Sequence, residues 1–316
     1  MNLKEYHNHS ALGSTSLKEV LQNAKKFKLI QDGEIEISGK NLDIGQALHT
    51  LVLEPELFDA EFIVTDVKVT DKIKELSEVD NLEVYPQECL TPSGALASNK
   101  KAKEVLATLD SSKTYVTPNE KTQIDFYLAN KDKIFLNEDD LELIHALKDK
   151  LSKLKNFKKW LNAGVKEQSF FGELDGVEVK CRPDLMVKLA NDKYIVIDLK
   201  TSSSEATADN FAKTSANFLY YLQEALYREV LKQNGIIVDR FIFAVTSKVE
   251  HSGAGYFEHD HVAFEQGQEL VQKAIQKYKF CLENNLWLED RFDFIDNKFE
   301  TINTVTLPAY AYYQFL

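Results

Sequence analysis

Hydrophobic and polar residues alternate most clearly between residues 168 and 199, and the pattern there predicts three β-strands. Residues 168–174 (Gln-Ser-Phe-Phe-Gly-Glu-Leu) and 177–187 read as strands joined by Asp175-Gly176, a strong two-residue hairpin signal. Residues 193–199 (Lys-Tyr-Ile-Val-Ile-Asp-Leu) follow a second turn at Asn191-Asp192. Period two sets Tyr194, Val196 and Asp198 on one face of that strand, and Ile195, Ile197 and Leu199 on the other. Asp198 and Lys200 are two apart and point the same way. Asp184 is placed on the neighbouring strand, where it can converge on them.

Helical spacing surrounds this meander. Ile144, Leu147, Leu151, Leu154 and Leu161 predict an amphipathic helix over 138–161. Leu17–Phe27 reads as a helix capped by Ser14 or Ser16. Residues 43–54 read as another, capped by Asp43 and stopped by Pro55. A long helix over about 205–234 ends at Asn234-Gly235. Strands are expected at 240–247 and 254–264, and a helix at 265–287. Residues 59–135 are mixed and polar, and the tail from Thr306 to Tyr313 is rich in aromatics. Helix, three-strand meander, helix, strand predicts an α/β core with a central mixed sheet flanked by helices, behind an N-terminal helical extension. One domain over 1–316 is expected, with a helical and mixed part at 1–137 and a core at 138–316.

The 316 residues are 44% hydrophobic and 28% charged, ample for a sizeable core. No apolar run is long enough to span a membrane, the first residues carry no apolar signal region, and three scattered cysteines show no disulfide or metal-ligand spacing. A cytoplasmic setting is the expectation. The formal charge of −12 argues against nucleic acid only if charge is evenly spread. Lysines at 148, 150, 153, 155, 158, 159 and 166, and a second group at 100, 101 and 103, offer local basic surfaces. Read singly, either group is a solvated helix face.

The candidate chemistry centres on Asp184 and Asp198-Leu199-Lys200. Carboxylates hold hard divalent cations through oxygen, the cations activate water and stabilise a pentavalent phosphate, and a neighbouring ammonium orients the water or offsets developing charge. Asp-X-Lys also arises by chance where a strand leaves a core. Here the apolar run leads straight into Asp198, and charges are seldom set there without a partner. His49 stands on the 43–54 helix with Gly45 one turn earlier on the same face. Glu167 precedes the first strand, whereas Glu173 and Glu178 flank the hairpin turn as solvated residues. Gln223 and Tyr227 share a helix face, either as donors to phosphate oxygens or as a packed polar stripe. His259 and His261 would share a face on a strand and form a rival metal pair; His7 and His9 are a weaker one.

Taken together, Gly45-Gln-Ala-Leu-His49, Glu167, Cys181-Arg-Pro-Asp184, Ile197-Asp198-Leu-Lys200-Thr201 and Gln223-Glu-Ala-Leu-Tyr227 resemble the nuclease domain of the exonuclease VIII (RecE) family, within the PD-(D/E)XK superfamily. The resemblance runs from Tyr6-His-Asn-His-Ser to Thr306-Leu-Pro, and is weaker over 65–135. It implies that His49, Asp184, Asp198 and the Leu199 carbonyl hold Mg2+, with Mn2+ as substitute. It implies Lys200 as catalytic lysine, Glu167 as accessory acid, and Gln223 and Tyr227 as supports of the site. It also implies 5′-to-3′ digestion of double-stranded DNA ends, a toroidal homo-oligomer (trimer or tetramer) and a single-strand annealing partner. Relatives that hold an iron–sulfur cluster on four cysteines do not match. An endonuclease of the same superfamily and an inactive DNA-binding or assembly protein are the competing readings.

Overall fold

The computed structural model describes residues 3–35 and 39–288; the aromatic tail from Thr306 lies outside the described residues. The chain divides into two compact units, Met1–Leu42 with Asp149–Leu316, and Asp43–Lys148.

The first unit opens with α1 (Leu3–Asn8), α2 (Ser14–Gln22) and α3 (Ala24–Gln31). The helix expected over 17–27 is therefore two. Asn23 is extended, and its side chain accepts the Lys26 N–H at 2.8 Å, so it ends α2 and caps α3. Next comes α4 (Lys40–Leu53), which stops before Pro55 as expected.

The second unit is built from short pieces: α5 (Phe58–Glu61), β1 (Phe62–Val64), α6 (Asp71–Ser77), β2 (Leu82–Val84), α7 (Lys100–Leu106), β3 (Thr114–Val116), α8 (Pro118–Asn130) and β4 (Ile134–Leu136). β1 pairs with β4 and β2 with β3, both parallel. Ile73, Val116 and Ile124 form a small core where α6 meets α8. Thr117 and Glu120 make a capping box that fixes the start of α8.

The helix expected over 138–161 also divides, into α9 (Glu138–Ser152) and α10 (Phe157–Ala163), with Asn156 left-handed at φ 67° between them. The core of the first unit follows: β5 (Val165–Lys166), β6 (Phe170–Leu174), β7 (Val177–Cys181), β8 (Leu185–Lys188), β9 (Tyr194–Ser202), α11 (Ala208–Phe218), α12 (Tyr220–Gln233), β10 (Val238–Ser247), β11 (Ala254–Phe257) and α13 (His261–Asn284). The hairpin turn is where the sequence places it: Leu174 pairs with Val177, and Asp175 and Gly176 take φ of 49° and 80°.

Three expectations change here. The strand over 177–187 breaks into β7 and β8, because Pro183 has no N–H to give a ladder; β6–β7 is a separate ribbon, and β8 enters the main sheet. The helix over 205–234 breaks at Leu219, left-handed at φ 51°. The strand over 254–264 ends at Phe257, since the Asp260 side chain accepts the Ala263 N–H at 2.8 Å and starts α13.

The main sheet is five-stranded and mixed, in the order β11-β10-β9-β8-β5, with only β9 and β10 parallel. Val196, Phe241 and Phe243 of the sheet pack with Leu222, Leu226 and Val230 of α12 and with Val271, Ala274 and Ile275 of α13. Gly267 lets α13 approach α12 closely, since a Cβ there would lie 2.2 Å from the Tyr221 carbonyl oxygen. Val196 and Asp198 share a face of β9, so the helix that covers the core also covers the carboxylate.

Candidate active site

Five consecutive residues of β9, Ile195 to Leu199, are buried, and Asp198 is the charged member at 1% exposure. Its Oδ1 accepts the Gln223 Nε2–H of α12 at 2.6 Å. Its Oδ2 forms an ion pair with Lys200 but accepts no hydrogen bond of ordinary geometry. The Lys200 ammonium offsets the charge of this buried oxygen, which keeps lone pairs that no described donor fills.

Asp184 is not on a strand. It sits in the bend between β7 and β8, directly after Pro183 and 7% exposed. The antiparallel register pairs Leu185 with Ile197, so one step on brings Asp184 beside Asp198. Asp184 Oδ2 accepts the Leu199 N–H at 2.6 Å, which locks the bend to β9. Burial, and next the charge of Asp198, push the Asp184 carboxyl well above the ordinary range, against the pull of Lys200, the Leu199 N–H and Arg182.

Lys200 lies at the end of the apolar run with its ammonium 5.0 Å from the centre of the Tyr220 ring. Burial lowers its pKa, but Asp198, Asp184 and Tyr220 outweigh that and leave it raised. Its ammonium therefore stays charged at neutral pH. Glu167 falls between β5 and β6 in the left-handed region, φ 50°. Its N–H donates to the Asp184 carbonyl at 3.2 Å and its Oε2 accepts from Arg182 Nε at 2.7 Å. A carboxylate oxygen of Glu167 lies within 4.8 Å of one of Asp184. Tyr227, one turn beyond Gln223, donates to the Arg182 carbonyl at 3.4 Å. Burial, followed by Tyr6, Asp198 and other neighbours, pushes its hydroxyl far up, so it stays protonated.

Asp184, Asp198, Leu199, Lys200, Glu167, Gln223 and Tyr227 are thus one connected group in the first unit. His49 stands half-buried on α4, in the second unit, and a Cβ built on Gly45 meets no described atom within 4 Å. The rival histidine pair does not form a shared face. His259 precedes the helix cap and is held at both nitrogens, Nδ1 on Glu224 Oε2 at 2.8 Å and Nε2 on Ser215 Oγ at 2.7 Å. His261, exposed on the first turn of α13, pairs with Glu265. His9 Nδ1 accepts the Ala11 N–H at 3.1 Å. Two lysines of the expected basic surface are tied down: Lys150 donates to the Ser247 and Val249 carbonyls at 2.8 Å each, and Lys148 to the Leu51 carbonyl at 3.0 Å.

Arg182, Tyr220 and Lys18 escape the sequence reading. Arg182 had a signal, since it lies inside Cys-Arg-Pro-Asp. Lys18 and Tyr220 had none, because the contact of the Lys18 ammonium with the Tyr220 ring, which Lys200 also meets, depends on how α2 and α12 pack.

The chemistry suits divalent-metal phosphodiester hydrolysis, and the comparisons agree at the level of fold. A crystal structure of a candidate exonuclease from Eubacterium rectale superposes with a TM-score of 0.54 at 12% identity, covering 96% of each chain. A phage-related exonuclease from Haemophilus somnus covers 60% of this chain and 90% of its own at 14% identity, with a TM-score of 0.28 too low to argue from. No curated protein sequence matches. No described helix is long and apolar enough to cross a membrane. The model of the PDDEXK-like domain of unknown function (DUF3799) matches residues 13–290, and the chain belongs to that family, with its nuclease-type α/β fold.

Proposed function

We propose that this protein is a metal-dependent deoxyribonuclease that digests linear double-stranded DNA from its ends, 5′ to 3′, as in the RecE-like nucleases it resembles. The observation that carries the reading is Asp198: a carboxylate 1% exposed, oriented by Gln223 on one oxygen and facing Lys200 with the other. One hydrogen bond and one ion pair hold Asp198 in place and leave lone pairs on Oδ2 for a further partner.

In this reading Asp184, Asp198 and the Leu199 carbonyl would hold Mg2+ or Mn2+, oxygen-rich ligation that suits a hard cation, and His49 is a ligand by the family resemblance alone. Such an ion supplies Lewis-acid polarisation of the phosphate and an acidified water. Lys200 positions the attacking water and faces the charge that develops as the new P–O bond forms and the old one breaks. Gln223 holds Asp198 in its ligand orientation. Glu167 fixes Arg182 and the backbone at Asp184. Tyr227, protonated throughout, braces the Arg182 carbonyl.

A toroidal homo-oligomer with a single-strand annealing partner completes the proposal. A ring would reconcile DNA binding with a charge of −12, by keeping acidic surface outward. The test is a substrate panel with Mg2+: linear duplex labelled at the 5′ or the 3′ terminus, single strand, and closed circular duplex. Early release of 5′ label from linear duplex, with circles spared, supports the reading. Comparable cutting of closed circles makes the protein an endonuclease.

A further inference from the structure

Two buried lysines of the first unit are secured by carbonyl oxygens. Lys180 Nζ donates to Tyr6 at 2.5 Å and His9 at 2.8 Å, and Lys277 Nζ donates to Leu21 at 3.0 Å. Lys18 is treated differently. It projects from α2, half-buried, and no described carboxylate or carbonyl pairs with its ammonium, whose contact is the face of Tyr220, 5.3 Å from the ring centre. Lys200 approaches the same ring at 5.0 Å. Two ammonium groups therefore crowd one aromatic ring, and that ring also borders a shallow cavity with Lys200, Thr201, Glu205 and Thr214. Like charges so placed repel, and an ammonium taken from water without an anion is costly.

We propose that Lys18 is a further substrate-contacting residue, a phosphate-binding lysine that holds the DNA backbone beside the bond to be cut. The assignment rests on the nuclease reading above. A phosphate bound by Lys18 would offset the repulsion from Lys200 and give Lys18 the hydrogen-bond acceptor it lacks. Burial, then Lys200, push the Lys18 pKa down to about 7, against the opposing charge of Asp198, and a bound phosphate reverses that shift. The Tyr220 face and the charge of Asp198 offset only part of the penalty, which methionine would avoid at the same volume.

The experiment measures binding of a blunt fluorescent duplex, with Ca2+ in place of Mg2+ so that the strand is held and not cut, across a sodium chloride series. Lys18→Met should weaken binding about ten- to a hundredfold, the range of a charged hydrogen bond. It should also reduce the slope of log affinity against log salt by about 0.9, one phosphate contact. Lys18→Arg should restore the slope. Circular dichroism confirms folding, and Lys18→Gln replaces the methionine variant if that one unfolds. An unchanged slope and affinity in the neutral variants, with the wild type binding and cutting DNA, overturns the Lys18 assignment alone. Failure of the wild type to bind any duplex overturns the nuclease reading and this one together.

Discussion

Gln223→Leu removes one hydrogen bond from the centre of the site while keeping the helix and most of the side-chain volume. The bond runs from Nε2–H to Asp198 Oδ1 at 2.6 Å, and both residues are buried, at 6% and 1% exposure. A hydrogen bond to a charged group contributes about 1.5–3 kcal/mol net. Its loss leaves Asp198 with Lys200 as its main restraint, so the carboxylate swings toward the ammonium and away from its ligand orientation. Partners that orient a metal ligand typically govern metal affinity by about 10–100-fold. At about 1.4 kcal/mol per decade that is the same energy range. Calorimetric titration with Mn2+ should therefore show a dissociation constant raised by about one to two decades. Cleavage of linear duplex should fall at low metal and recover in part at saturating metal, because Lys200 and Asp184 remain. Gln223→Leu with unchanged Mn2+ affinity and unchanged rate would refute the reasoning.

Other predictions follow from the same geometry. The Asp184 carboxyl has its folded pKa raised, first by burial and next by Asp198, so its stabilising contribution is full below the unfolded value of about 3.9 and is lost as pH rises through the folded value. At neutral pH in EDTA, Asp184→Asn should be more resistant to thermal unfolding than wild type, and a less resistant variant contradicts this. Mn2+ at about a hundred times its dissociation constant should stabilise the wild type by about 2.7 kcal/mol, read as a raised melting temperature, and Asp198→Asn should lose that response. Lys200→Ala should keep the fold and Mn2+ binding yet lower kcat by at least about 100-fold, the scale of a lost electrostatic contact in the transition state. Gly267→Ala forces a Cβ to within 2.2 Å of the Tyr221 carbonyl oxygen, so α12 and α13 must separate. Overpacking of this kind costs about 1–3 kcal/mol and should appear as a lower denaturation midpoint.

The strands around Asp184 and Asp198 were legible because period two, an Asp-Gly turn and an apolar run are local signals. The mixed sheet and α/β class followed from them. What stayed hidden is instructive. The Leu219 break lies in Asn-Phe-Leu-Tyr-Tyr, with neither glycine nor proline to mark it, because tertiary packing holds a leucine in left-handed backbone. Asn23 and Asp260 carried capping chemistry in plain view, but hydrophobic spacing on either side masked it. Pro183 marked the end of β7, and reading through it put Asp184 on a strand. The Gln223–Asp198 bond could be anticipated only as a shared helix face, since helix propensity does not say which sheet position that face meets. Lys18 had no signal at all: its place beside Lys200 is made by contacts between segments about 180 residues apart, and spacing along the chain carries no record of that.

The central claim is that Asp198 serves a metal-dependent cut of DNA rather than the stability of β9. The most direct measurement is the rate of nucleotide release from linear duplex by wild type and by Asp198→Asn, each with Mg2+ and with EDTA. The account predicts release by wild type only with Mg2+, and none by a variant that is folded by circular dichroism. Release by Asp198→Asn at the wild-type rate, or release by wild type in EDTA, would contradict it.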